Sequence, residues 1–145
     1  LIVRSQVKID AYNDPRIEYR IGTFDDIWSE GDVFIFPEKF NGLSLPLQEA
    51  YASGMLVMCG DRFPMNTWLP KEPLIPVKYY KKERIAVEFD SAVIDPKDIA
   101  SCIDSWYNKS ISEYSLKGKE YNINNSWKTL RGEYLKVLTQ VLSVV

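Results

Sequence analysis

Two short apolar runs, Asp32 to Phe36 and Leu56 to Cys59, flank a loop and one short helical stretch, and this order restricts the fold more than any other feature of the chain. The first run lies between Gly31 and Pro37 and reads as a strand buried on both faces, the kind found in parallel sheets. Between the runs, Ser44 is placed to N-cap a helix with Pro46 in its first turn, which continues to Ser53 and stops at Gly54. Strand, loop, helix and strand in this order form a right-handed parallel crossover, so an α/β fold is expected.

The flanking segments are read against that unit. Leu1 to Val7 is apolar enough for a strand, and Ile17, Tyr19 and Ile21 alternate with Glu18 and Arg20 as a half-buried strand does, with a Tyr-Asn-Asp-Pro turn between them. Thr23 and Asp26 have the spacing of a capping box that opens one helical turn through Trp28. From Asp61 to Glu88 four prolines suit an irregular surface segment with one edge strand, and its lysine-rich stretch Lys78 to Arg84 reads as a solvated loop. Asp95, Pro96 and Asp98 start a helix whose Ile99, Ile103 and Trp106 share one face and pack on the sheet. Ser126 caps a last helix with an apolar stripe of Trp127, Leu130, Tyr134, Val137, Leu138 and Val141, interrupted by Gly132. Trp106 and Trp127 have aliphatic partners at helical spacing and are expected in the core.

Composition removes several classes of chemistry. The 145 residues contain no histidine, which excludes Ser/His/Asp and Cys/His catalysis, histidine metal sites and histidine pH switches. A net charge of -2 gives no strong pull toward nucleic acid or anionic lipid. Cys59 and Cys102, the only cysteines, have neither metal-site nor disulfide-scaffold spacing and are expected to be buried thiols in a reducing compartment, the cytoplasm. No apolar run reaches the roughly 18 residues that span a bilayer, and the start lacks the order of a signal peptide. The sequons at Asn108 and Asn124 are accordingly expected to be coincidental. The first residue is Leu1, not Met, and the chain is expected to be a fragment, read as a single domain over residues 1–145.

In an open α/β sheet, ligands bind outside the carboxyl ends of the strands, which here means the loop from Pro37 to Ser44. A helix opening at Ser44 presents unpaired N–H groups and a positive dipole end, suited to a diphosphate without a metal. Gly42 allows backbone to approach a ligand, Asn41 reaches sugar hydroxyls, and Glu49 is placed to accept two hydrogen bonds from a vicinal diol such as a ribose. Taken alone, Glu49 is a solvated helix-face carboxylate and Asn41–Gly42 a turn dipeptide; the surrounding pattern gives them more.

That pattern, GDVFIFPEKFNGLSLPLQEAYASGMLVMCGD from Gly31 to Asp61, resembles the signature segment of the GT-B family 4 retaining glycosyltransferases. Asp32, Pro37, Gly42, Leu45, Glu49, Ala50, Ala52, Gly54 and Val57 fall on it. DPKDIASCIDSWYNK resembles the helix after the site, and NNSWKTLRGEYLKVL the closing helix. The resemblance implies a Rossmann-like parallel sheet flanked by helices, the C-terminal half of a GT-B fold, binding a nucleotide-diphosphate sugar. Glu49 then matches the ribose carboxylate, and Gly42, Leu43 and Ser44 match the loop facing sugar and diphosphate. Asn41 stands where the family has the Glu that contacts the donor hexose at the reaction centre, which keeps hydrogen bonding but loses charge. Glu38 replaces a Ser, and its spacing to Glu49 does not let it stand in for that first Glu.

Further expectations follow from the family. Its upstream Arg and Lys that neutralise the diphosphate have no match, because Arg4 and Lys8 are too close to Asp32; the donor domain begins partway, and the acceptor-binding domain is missing. Arg62, after the second strand, is a candidate for phosphate neutralisation. Asp25 and Asp26 are adjacent and do not form the DxD pair of metal-dependent enzymes, so no metal and no cofactor beyond the donor is expected. The implied reaction is retaining sugar transfer to a glycan or lipid-linked acceptor, with membrane association only through the missing part. The alternative is a non-catalytic domain of the same fold used for assembly or sugar-nucleotide sensing; a flavodoxin- or receiver-like module ranks below both.

Overall fold

The structure, a computed structural model, describes residues 1–10, 12–22, 27–28 and 30–142. The capping box at Thr23 and Asp26 and the pair Asp25–Asp26 lie outside the described residues. The chain divides into two compact units, Leu1–Glu30 and Gly31–Val145.

In the first unit, β1 (Ile2–Ser5) and β2 (Glu18–Ile21) pair in parallel with Arg4 opposite Arg20. Two like charges at one register would repel, and Glu30 offsets this by accepting from both guanidiniums, at 2.6 Å from Arg4. The Asp14 carboxylate accepts from Arg16 at 2.6 Å and turns the chain into β2.

The second unit is built on the expected crossover. β3 (Val33–Phe36) and β4 (Leu56–Cys59) pair in parallel, Phe36 opposite Cys59, and α1 (Leu45–Ala52) connects them. Every residue of β4 is buried, whereas β3 is only half-buried, with Val33 39% exposed. The expectation that β3 is fully enclosed is corrected: β4 is covered by α1 and extended by a bridge from Gly60 to Ile75, while β3 has β4 as its sole strand partner among the described residues. Leu47, Leu56, Met58, Met65 and Ile75 are the largest fully enclosed apolar side chains, each contributing roughly 1.5–3 kcal/mol by burial.

The segment after β4 departs from the sequence reading. Tyr79–Arg84 is not a solvated loop but a strand, β5, paired antiparallel with β6 (Glu88–Val93), which was not anticipated. Long polar side chains hold this hairpin across the strands, with Lys82 3.0 Å from Asp90. Asp95 caps α2 (Pro96–Trp106) as expected, accepting from the Lys97 amide at 3.0 Å. No residue of α2 is fully buried, and its Cys102 is half-buried, donating to the Pro73 carbonyl at 3.3 Å; Cys59 alone is the enclosed thiol.

Two C-terminal helices follow, of which only the second was anticipated. α3 (Ser112–Asn124) crosses α1 so closely that a Cβ on Gly118 would sit 2.1 Å from the Tyr51 carbonyl oxygen. Tyr51 packs edge-on to Tyr114, with ring centroids 5.3 Å apart, and against Tyr121 at 5.4 Å, where Trp68 stacks. Ser126 caps α4 (Trp127–Leu142), accepting from the Thr129 amide at 3.2 Å. The expected core role of Trp127 is corrected: it is 71% exposed, and no residue of α4 is buried.

The whole is a mixed α/β chain whose described sheets, two parallel and one antiparallel, have two strands each. Among the described residues no helix is long and apolar enough to cross a membrane.

Candidate functional site at the carboxyl end of the parallel pair

Because β3 and β4 run in the same direction, the segments leaving them emerge side by side, about 5 Å apart. Pro37 to Ser44 leaves β3, Gly60 to Arg62 leaves β4, and α1 packs on both strands as it returns the chain, so its N-terminus lies at this end. The loop is held at three points. The Lys39 carbonyl accepts from Ala92 of β6 at 2.7 Å, Phe40 lies 4.3 Å from Phe89, and Gln48 donates its side-chain amide to the Leu43 carbonyl at 2.7 Å.

Ser44 occupies the N-cap position but not in the expected way. Its backbone is left-handed, φ 45° and ψ 75°, and its hydroxyl makes no capping bond. The Oγ is instead buried without a hydrogen-bond partner among the described residues. The first turn is also poorer in donors than a helix N-terminus normally is: Pro46 has no N–H, and the Leu47 amide donates to the Ser44 carbonyl at 3.1 Å. Among the described residues the amides of Ser44 and Leu45 have no backbone acceptor.

Asn41 is half-buried on the loop, and Leu43 is 75% exposed. Gly42 is exposed, and a Cβ there would meet nothing within 4 Å, so backbone strain does not account for this glycine. Glu49 is exposed on the side of α1 away from the buried Leu47, Ala50 and Tyr51, about 6 Å along the axis from Leu45. Ser44 and Arg62 thus belong to the enclosed end of the strand pair, while Gly42, Leu43 and Glu49 stand on its open surface.

The most unusual residue here is one the motif set aside. Both carboxylate oxygens of Glu38 are shielded from solvent and lack a hydrogen-bond partner among the described residues, as do Nε and one terminal nitrogen of Arg62. Burial pushes the Glu38 carboxyl up to about 7, opposed by its own backbone N–H and by the Arg62 charge. At the end of β4 Cys59 is held as a neutral thiol, first by burial and next by the Glu38 charge. Spacing to Glu49 hid Glu38; a carboxylate directly after the proline that ends an apolar strand was the signal that could have found it.

Chemically, this end can accept hydrogen bonds at Glu38, donate them at Arg62 and the α1 amides, and do either at Ser44. Among the described residues no three Cys, Asp or Glu side chains converge as metal ligands would. In comparison with known proteins, no family model matches the chain and no curated protein matches it.

Proposed function

We propose that this chain is the donor-binding part of a retaining GT-B glycosyltransferase, its β3–α1–β4 unit part of a Rossmann-like sheet that binds a nucleotide-diphosphate sugar. The observation that carries the reading is the position of the Asn41–Ser44 loop: it leaves the carboxyl end of a parallel strand and enters α1, where open α/β sheets take nucleotides. In this reading Glu49 takes the ribose hydroxyls, the exposed Gly42 and Leu43 line the donor, Asn41 hydrogen-bonds the transferred sugar, and Arg62 with the Ser44 and Leu45 amides faces the diphosphate. Transfer needs no metal, because cationic and amide donors stabilise the leaving phosphate. The acceptor, a glycan or lipid-linked sugar, is bound by a separate domain. The proposed compartment is the cytoplasm, in keeping with two cysteines that form no disulfide.

A second reading, a non-catalytic domain for assembly or sugar-nucleotide sensing, is favoured by Asn41 in place of a carboxylate and by the donor-poor first turn of α1. Calorimetric titration with UDP, GDP and ADP tests the first reading. One nucleotide is expected to bind at millimolar or tighter affinity, and Glu49→Ala to weaken it about tenfold, the value of one charged hydrogen bond. Unchanged affinity in the variant removes the ribose role. No nucleotide binding by the unaltered protein overturns the donor reading in favour of assembly.

A further inference from the structure

Glu38 and Arg62 are an unusual pair because they are opposite charges, both shielded at the same strand ends, that do not neutralise one another directly. The Arg62 charge reaches the Glu38 carboxyl, yet the two form no ion pair. The acidic neighbour of Arg62 in sequence does not take the guanidinium either, since Asp61 accepts from the Asn66 side chain at 2.9 Å and pairs with no cation among the described residues. A buried charge without a partner is costly, and a direct ion pair would have been the simple remedy. The chain instead holds a carboxylate with two shielded, unpartnered acceptor atoms at the same strand ends as a guanidinium with two shielded, unpartnered nitrogens. The group that satisfies both at once carries hydroxyl donors next to an anionic oxygen, and a sugar bonded to a phosphate has that pattern. The hydroxyl of Ser44, equally buried and unpartnered, lies at the same end and can bond either part.

Resting on the donor-domain reading, we propose that Glu38 and Arg62 together hold the sugar-phosphate portion of the donor, Arg62 donating to a phosphate oxygen and Glu38 accepting from a hydroxyl of the transferred sugar. Glu38 then supplies a carboxyl acceptor where the motif position carries Asn41, from a different place on the same loop. This is a binding and specificity role: it accounts for the two sets of unpaired polar atoms and predicts that the site distinguishes a sugar nucleotide from the bare nucleoside diphosphate.

The test measures affinities of UDP, GDP and ADP beside UDP-glucose, GDP-mannose and ADP-glucose, for the unaltered protein and for Glu38→Gln, Glu38→Ala and Arg62→Gln. The sugar nucleotide of the preferred base is expected to bind at least about tenfold more tightly than its nucleoside diphosphate. Glu38→Gln and Glu38→Ala should remove that advantage while changing nucleoside diphosphate affinity less than about twofold; Arg62→Gln should weaken both ligands about tenfold or more. Thermal unfolding of each variant is read in parallel, and the isosteric Glu38→Gln is expected to unfold no earlier than the parent, because it removes an unpaired buried charge. Equal affinity for sugar nucleotide and nucleoside diphosphate in the unaltered protein overturns the assignment, as does an advantage that survives in both Glu38 variants; in either case nucleotide binding leaves the donor domain standing. Absence of any nucleotide binding overturns the donor reading and this assignment with it.

Discussion

α3 and α4 are consecutive helices of similar length with opposite fates. α4 has the plainer apolar stripe, yet buries none of its residues and leaves Leu138 57% exposed. α3 has no such stripe, yet places Tyr114 and Gly118 in the core against α1. A periodic apolar face shows that a helix can form and that it has a side to cover; it does not supply the cover. A close helix crossing depends instead on one residue with no side chain, flanked by rings that fill the space around it. The two carboxylates near the strand ends divide in the same way. Glu49, which the motif picks out, stands in the open, whereas Glu38, which it passes over, has its oxygens enclosed.

The largest effect is expected from a side chain placed on α3 at its crossing with α1. The Cβ of Gly118→Ala would lie 2.1 Å from backbone of α1, and backbone cannot yield as the tip of a flexible side chain can. Unfolding by urea is expected to show a loss of about 3 kcal/mol despite the better helix propensity of alanine. A neutral or stabilising result would mean that α3 does not cross α1 at this distance.

The next effect separates the two carboxylates through pH. The carboxyl of Glu38 is raised from 4.5 to about 7 in the folded state, so between these values the folded chain binds more protons than the unfolded one. The associated stability is fully present below about 4.5 and is lost as pH rises through 7. After allowance for solvent screening at a residue that is only half-buried as a whole, about 1–2 kcal/mol is expected to disappear between pH 5 and 8. Carboxylates held down by arginine or lysine, among them Asp14, Glu18, Glu30 and Asp95, act in the opposite sense and at lower pH, so they do not mask it. Denaturation curves across this range should slope for the parent and lie flatter for Glu38→Gln; equal slopes would place the Glu38 carboxyl in water.

How much of this was legible follows the same division. The β3–α1–β4 unit, the Asp95 and Ser126 caps and the stop at Gly54 could be read because each depends on local chemistry: apolar runs, a side-chain acceptor, a left-handed glycine at φ 90°. α3 and β6 could not, since each is defined by what it meets. Gly118 matters only because Tyr51 lies beneath it, and Glu88–Val93 is a strand because Tyr79–Arg84 pairs with it. At the candidate site, sequence placed Ser44 at the start of α1 but not its left-handed turn, which moves the hydroxyl from capping to burial. Arg62 was a candidate by position alone; its shielded, unpaired nitrogens appear only when the chain is folded.

Gly132 is the counterpart of Gly118 in α4, but a Cβ there would meet nothing within 4 Å. Its backbone is helical, so alanine fits without strain and restricts the unfolded chain, and Gly132→Ala is expected to stabilise by up to about 1 kcal/mol. One substitution in two helices should therefore change stability in opposite directions, with helix propensity acting alone in α4 and overruled by contact in α3. The sign at position 132 also tests whether the face of α4 bearing Gly132 stays open in solution. If thermal unfolding shows Gly132→Ala to be destabilising, that face is packed against something, and the exposed stripe of Trp127, Tyr134 and Leu138 then belongs to a covered surface; a small gain leaves α4 as the helix whose pattern lacks a partner.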